Sequence, residues 1–309
     1  MTVPPASRSD IPVSQPPVSE ATAAAMAAAG LVPGRSPAPL RLPDAGTLFA
    51  RRAARLRRLA DGHAMGEWLR FIAVLADAQQ EIVAMPAALA PGEQWLADLH
   101  LLVGRLSAGA PGAETLPAGI RTALAVLAEA SAPELEALGT RWAEGAIEEG
   151  DVAASPFLAA ALQTAWTRHA AGADPAALAA AATATGCPVC GGAPVAGVLQ
   201  VGMEAGGLRY LHCGVCHTAW HHVRSSCVAC GDGKDVEQRF LDGKGEGKDG
   251  PVRAETCGAC HSYLKLLFLE RAPDLDPVAD DLATLALDIL LGEEDFRRIG
   301  DNPFLTLVE

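Results

Sequence analysis

Four C-x-x-C pairs constrain this chain more than any other feature. They are Cys187/Cys190, Cys213/Cys216, Cys227/Cys230 and Cys257/Cys260, and they contain every cysteine in the 309 residues. Two residues between thiols let one tight turn aim both sulfurs at a single ion, and thiolates are soft donors suited to tetrahedral zinc or iron. Oxidised pairing is the competing use of cysteine. The alanine-rich run Ala21–Ala29 follows Glu20 rather than a basic segment, which argues against export. Without export, pairs at this spacing read as metal knuckles rather than disulfides.

The knuckles fall into two kinds. Cys187-Pro-Val-Cys190-Gly191 matches Cys227-Val-Ala-Cys230-Gly231, and Cys213-Gly-Val-Cys216-His217 matches Cys257-Gly-Ala-Cys260-His261. A unit of the form CxxCG, hairpin, CGxCH thus occurs twice. The repeat predicts two closed sites, Cys187/Cys190/Cys213/Cys216 and Cys227/Cys230/Cys257/Cys260. A cross-braced pairing, first knuckle with third and second with fourth, stays open but breaks the repeat. A site closed by four sulfurs has no open coordination position, so hydrolytic metal catalysis is disfavoured. Ions of this kind commonly staple segments too small to build a core.

Other residues invite chemical readings. His212, His217, His221, His222 and His261 crowd the cysteine region. Eight cysteines already saturate two tetrahedral sites, so these histidines read as neighbours of the sites or as surface groups rather than ligands. The cluster Arg51, Arg52, Arg55, Arg57 and Arg58 reads as a solvated helix face paired with local carboxylates, with docking to an acidic partner surface as the sharper alternative. Asp280 and Asp281 diverge by about 100° on a helix, so they do not share a proton and are expected in a solvated first turn.

Half of the residues are hydrophobic, too many for a disordered chain, and aromatics are only 5%. Net charge is −13: −5 over residues 1–186, −1 over 187–260 and −7 over 261–309. That balance disfavours a general nucleic-acid binder. No uninterrupted apolar stretch reaches about 18 residues, so no membrane span is expected.

Residues 1–41 are rich in Pro, Ser and Ala and read as a mobile leader. About seven helices are expected between 46 and 184. Phe49, Ala53 and Leu56 share one face of the first, Trp68, Ile72, Leu75 and Ile82 align in the next, and Trp95, Leu99, Leu102 and Leu106 in a third. Ser155-Pro156 and Asp174-Pro175 each place a capping side chain before a helix-opening proline. Beyond Gly186, strands are predicted at Val195–Gly202 and Leu208–His212, joined by a turn at Ala205–Gly207. A second pair is predicted at Val236–Leu241 and Val252–Thr256 around the loop 242–250. After Tyr263 the helical period returns, with Val278, Leu282, Leu285 and Ile289 on one side of a helix opened by Asp276-Pro277 and closed by Gly292.

The run Gly207-Leu-Arg-Tyr-Leu-His-Cys213-Gly-Val-Cys216, Trp220-His221, Val223-Arg224 and Cys227-Val-Ala-Cys230 resembles the formate dehydrogenase accessory protein FdhE family. So do Glu255-Thr-Cys257-Gly-Ala-Cys260, Tyr263-Leu-Lys265, Val278-Ala-Asp280-Asp281-Leu-Ala283 and Asn302-Pro-Phe-Leu305; Arg51-Arg52-Ala53 and Leu69-Arg70-Phe71 agree more loosely. The resemblance implies a cytoplasmic accessory factor that contacts the catalytic subunit of formate dehydrogenase, not an enzyme, with rubredoxin-type iron favoured over zinc in both sites. The second unit lacks the proline of Cys187-Pro188, which leaves open whether both hold the same metal.

The predicted architecture is multidomain, α plus small β. A leader (1–41) precedes an all-α N-terminal domain (42–185) and two tandem rubredoxin-like or zinc-ribbon modules (186–224 and 225–270). A C-terminal helix and tail (271–309) close the chain. Arg209, Tyr210 and Arg224 flank the second knuckle and are candidate partner-binding residues, while Trp220 reads as core. Two rival functions remain: a redox carrier exchanging electrons with its client, and a nucleic-acid-binding zinc ribbon, the latter disfavoured by charge.

Overall fold

The computed structural model describes residues 37–179, 185–200, 207–224, 226–241 and 250–305. The amphipathic stripes fold as their spacing requires. Helix α1 (Leu48–Ala60) buries Phe49, Ala53 and Leu56 and also Arg52. Gly62 takes φ +70°, which reverses the chain cheaply before α2 (Gly66–Val83). Helices α3 (Pro91–Ser107), α4 (Ala118–Glu129) and α5 (Ala132–Ala143) follow, α5 opened by a Ser131/Glu134 capping box. Gly139 lets α5 approach Trp95, where a Cβ would come within 2.4 Å of the indole.

The axis of the helical part is α6 (Ser155–Ala171), which is buried nearly all round and packs against α2 and α3. Its N-cap is Ala154 and Ser155 already belongs to the first turn, so the helix starts one residue earlier than the capping pattern predicts. Asp174 does cap the short α7 (Pro175–Ala179), accepting from the Ala176 N–H at 2.9 Å. Seven α-helices thus lie between 46 and 179 among the described residues.

The strands form one sheet. Strand β1 (Leu40–Arg41) is an edge, followed in space by β4 (Ala219–His221), β3 (Arg209–Cys213), β2 (Pro194–Leu199), β7 (Ser262–Phe268), β6 (Val252–Cys257) and β5 (Val236–Arg239). β8 (Arg297–Arg298) pairs with β7. Each ribbon is antiparallel within itself, and a parallel pairing of β2 with β7 joins the two, with Val198 opposite Leu267. Much of the predicted leader and residues 201–206 and 242–249, where the first hairpin's turn and the 242–250 loop are expected, lie outside the described residues, but Leu40 and Arg41 form the edge strand.

Two expectations fail here. Tyr263–Phe268 is strand rather than helix: β7 sits inside the sheet with buried side chains on both faces, Lys265 among them, and a segment buried on both faces carries no period to separate it from helix. The closing helix is broken at Thr284 into α8 (Ala279–Ala283) and α9 (Leu285–Glu293). The break re-phases the inward face, so Leu287 and Leu291 are buried and Ile289 is exposed. The main core joins the helices to the sheet, through Ile72, Leu75, Phe157 and Leu158 on one side and Val195, Val198 and Leu267 on the other.

Candidate metal centres

Each knuckle ends in a residue with positive φ. Gly191 and Gly231 follow the first knuckle of each unit at φ +77° and +78°, and His217 and His261 follow the second at +60° and +53°. The turn must reverse within one residue after the second sulfur, which glycine does without penalty and histidine tolerates better than most residues. Gly191 and Gly231 each donate to the carbonyl of the first cysteine at 2.9 Å.

The turns bring the sulfurs into two groups, Cys187/Cys190/Cys213/Cys216 and Cys227/Cys230/Cys257/Cys260, each with all four sulfurs within 4.8 Å of one another. The cross-braced alternative is excluded. Four sulfurs about 2.3 Å from one ion at tetrahedral angles stand about 3.8 Å apart. The second group has 3.7 Å between Cys227 and Cys260 and between Cys230 and Cys257; the first is tighter, at 3.3 and 3.4 Å. These separations suit a shared ion and are far from the roughly 2.05 Å of a disulfide. No histidine joins either group among the described residues.

The surroundings differ. The first group lies under Leu211, Trp220, Val228 and Leu264, with Cys187, Cys213 and Cys216 buried. Helix α6 supports it directly: Gln163 Nε2 donates to the Gly214 carbonyl at 2.7 Å, and Thr167 Oγ1 shares a hydrogen bond of 2.7 Å with His217 Nδ1. In the second group Cys230 is exposed and Cys260 half-buried.

Proton affinities follow the packing. Hydrogen bonds from Cys190, Cys213 and Cys216 hold the Cys187 thiol far below its usual range. Those joining Cys216 to Cys187 and Cys190, together with burial, push the Cys216 thiol far above it. An incoming ion must therefore displace protons. In the second group burial pushes Cys227 up to about 12. At Cys260 burial is opposed by Ser262 and neighbouring cysteines, which bring the thiol down to about 7. Burial lowers His212 to about 4, so it stands beside the first group as a neutral imidazole.

Polar residues read as solvated in the sequence turn out to hold the assembly. Buried Arg52 reaches Asp276 at 3.0 Å and Gln163 at 3.4 Å, which links the C-terminal segment through α1 and α6 to the first group. Arg55 pairs with Asp280 and Asp274, Arg58 with Asp274, and Arg57 with Asp77. Arg51, Arg57 and Arg58 are exposed and Arg57 and Arg58 are paired with carboxylates, as a solvated face requires, whereas Arg52 is buried and Arg55 half-buried. Asp280 and Asp281 are buried rather than solvated: they diverge, Asp280 to Arg55 and Asp281 to Lys265 (3.3 Å), Arg298 and Asn302 (2.8 Å).

The candidate partner residues separate likewise. Arg209 is buried; it pairs with Glu255 on β6 and donates to the Ser226 carbonyl at 2.9 Å, tying the two ribbons together. Tyr210 is buried beneath the Arg41 guanidinium, 4.1 Å from the ring centre. Both are corrected from surface anchors to structural residues, because the side-by-side ribbons turn this flank into a seam. Arg224 is exposed. Trp220 is core, 1% exposed. Gln163 carries no spacing or motif that marks it as a support, and Asp276 is marked only as a helix opener.

A helical layer carrying one sheet with two four-cysteine ribbons defines a class of tandem metal-ribbon protein. Family models of the FdhE N-terminal region match residues 37–100 and 84–183, that of the central domain 186–224 and that of the C-terminal domain 225–305. A protein FdhE homolog of Pseudomonas aeruginosa is 38% identical over 277 residues, spanning 84% of this chain and 90% of its own. One from Cronobacter sakazakii is 37% identical over 286 residues, spanning 86% and 91%. The crystal structure of the FdhE protein from Pseudomonas aeruginosa superposes with a TM-score of 0.77 at 34% identity, over 87% of this chain and 99% of that one. The chain belongs to the FdhE family.

Proposed function

We propose that this protein is a formate dehydrogenase accessory factor that binds the enzyme's catalytic subunit in the cytoplasm and catalyses no reaction itself. Each four-cysteine group holds one metal ion, iron in preference to zinc. The observation that carries this reading is the pair of convergent tetrathiolate groups in a chain of the FdhE family. Four sulfurs close the coordination shell, so the ions fix structure or exchange electrons rather than activate water. In this reading residues 42–185 form a helical platform for ribbons 186–224 and 225–270, and 271–309 strap the two parts together.

Of the candidate anchors, exposed Arg224 is retained for the client: its planar guanidinium can clamp a carboxylate or a backbone turn. The exposure of Cys230 supports a second reading, in which the second ion passes electrons to or from the client.

The test is metal analysis and absorption of the anaerobically purified chain, together with pull-down of the catalytic subunit. Two equivalents of iron and a stable complex are expected, with Arg224→Ala weakening that complex by about 1–4 kcal/mol. Zinc in both sites ends the redox reading, and failure to retain the catalytic subunit overturns the accessory role. Reversible bleaching of the sulfur-to-iron band when client is added would select the redox reading.

A further inference from the structure

Away from the cysteine groups, one cleft combines enclosure, unbalanced charge and unmet hydrogen-bonding atoms. Its floor is a face of the first ribbon, where Arg41 on β1 and His212 on β3 both stand opposite Ala219 on β4. Helix α1 and the segment 269–277 wall it, and it encloses about 260 Å³. Leu48, Val198 and Leu275 make much of the lining apolar.

The charge balance follows from the pairing of α1. Four aspartates, Asp77, Asp274, Asp276 and Asp280, meet Arg52, Arg55, Arg57 and Arg58. Arg51 lines the cleft and meets no acid among the described residues. Arg41 donates to Gln200 at 2.9 Å and likewise meets no acid there. Asp274 and Asp276 also line the cleft, but both carboxylates are held by arginine. Among the described residues, two cations without an acidic partner therefore face one small cavity in a chain of net charge −13.

His212 and His217 line the same cleft, and in each the Nε2 is buried without a protein partner among the described residues. Buried polar atoms in that state are rare and are ordinarily answered by water or a ligand.

We infer that this cleft binds a small carboxylate with a short apolar body, its oxygens held by Arg41 and Arg51. A planar guanidinium matches a carboxylate in a two-bond fork, and the apolar walls accept the body. The cleft is too small for a drug-sized molecule. The same chemistry has two sources, a free organic acid or the terminal residue of a polypeptide chain. The assignment stands independently of the accessory function.

The test is calorimetric titration of the full-length, metal-loaded protein with isobutyrate, N-acetylleucine, the neutral amides of both, and inorganic phosphate. Saturable binding of at least one acid is expected, with no binding of its amide. Arg41→Gln and Arg51→Gln should each weaken it by about tenfold or more. Tighter binding of isobutyrate assigns a free acid, and tighter binding of N-acetylleucine a chain terminus. Arg51 is exposed, so Arg51→Gln carries the test even if Arg41→Gln perturbs the sheet. The assignment is overturned if neither acid saturates, if the amides bind as well, if phosphate binds more tightly than both, or if Arg51→Gln leaves affinity unchanged.

Discussion

The two cysteine groups share a sequence pattern, a hairpin between knuckles and the same kinds of positive-φ residue, yet their surroundings differ. The first is built into the junction between helices and sheet, with α6 hydrogen-bonded to its second knuckle. The second sits beside the terminal strand β5 with Cys230 open to solvent. Equal local chemistry with unequal burial teaches that the knuckle makes the site, whereas the neighbours decide how firmly the ion is held and what can reach it.

The sharpest way to break this comparison is to remove each site in turn. Cys213→Ser with Cys216→Ser should release one metal equivalent and cost at least about 4 kcal/mol, because the ion there stands in for core contacts. The same change at Cys257 and Cys260 should release the other equivalent for about 1–3 kcal/mol. Metal analysis with denaturant unfolding reads both, and equal losses would mean that burial does not distinguish the sites. In the unaltered protein, a chelator should empty the second site first.

Next in size is the thread that supports only the first site. Arg52→Ala leaves Asp276 buried without its partner and should cost about 3–5 kcal/mol. Gln163→Ala removes the donor to Gly214 and should weaken metal binding at the first site by about 10- to 100-fold, with the second untouched. Competition with a chromophoric chelator separates the two affinities. A parallel loss at the second site would show that the ribbons communicate through the β2–β7 pairing.

The smallest effect tests what the sites have in common. Beyond the chain neighbours, no atom of the described residues stands within 4 Å of a Cβ added at Gly191 or Gly231, so alanine at either meets only the cost of positive φ. Both substitutions should cost about 1–2 kcal/mol, and by similar amounts. A large difference in thermal unfolding between them would place the asymmetry inside the knuckles rather than around them.

Much of the site is written locally. Ligand spacing, the duplicated unit and the glycine or histidine after each pair operate within a few residues, so eight ligands and their division into two sites are legible without coordinates. The helices are legible for the same reason, since the stripes at Phe49–Leu56 and Leu99–Leu106 repeat over a few turns. Local signals end where apolar runs lose their period: β7 is indistinguishable from helix until its neighbours on both sides are known.

Charged residues mark the same boundary most clearly. Composition and spacing determined that this chain would carry two tetrathiolate sites behind an acidic, helical N-terminal part. Nothing local reveals that Arg52 meets Asp276, 224 residues away, or that Arg209 and Glu255 close the seam between ribbons. A surface arginine and a buried one have the same sequence signature, because burial is a property of what packs above the side chain. Only tertiary structure supplies that neighbour, and with it the decision that one cysteine group is packed into the helix–sheet junction while its twin leaves Cys230 open to solvent.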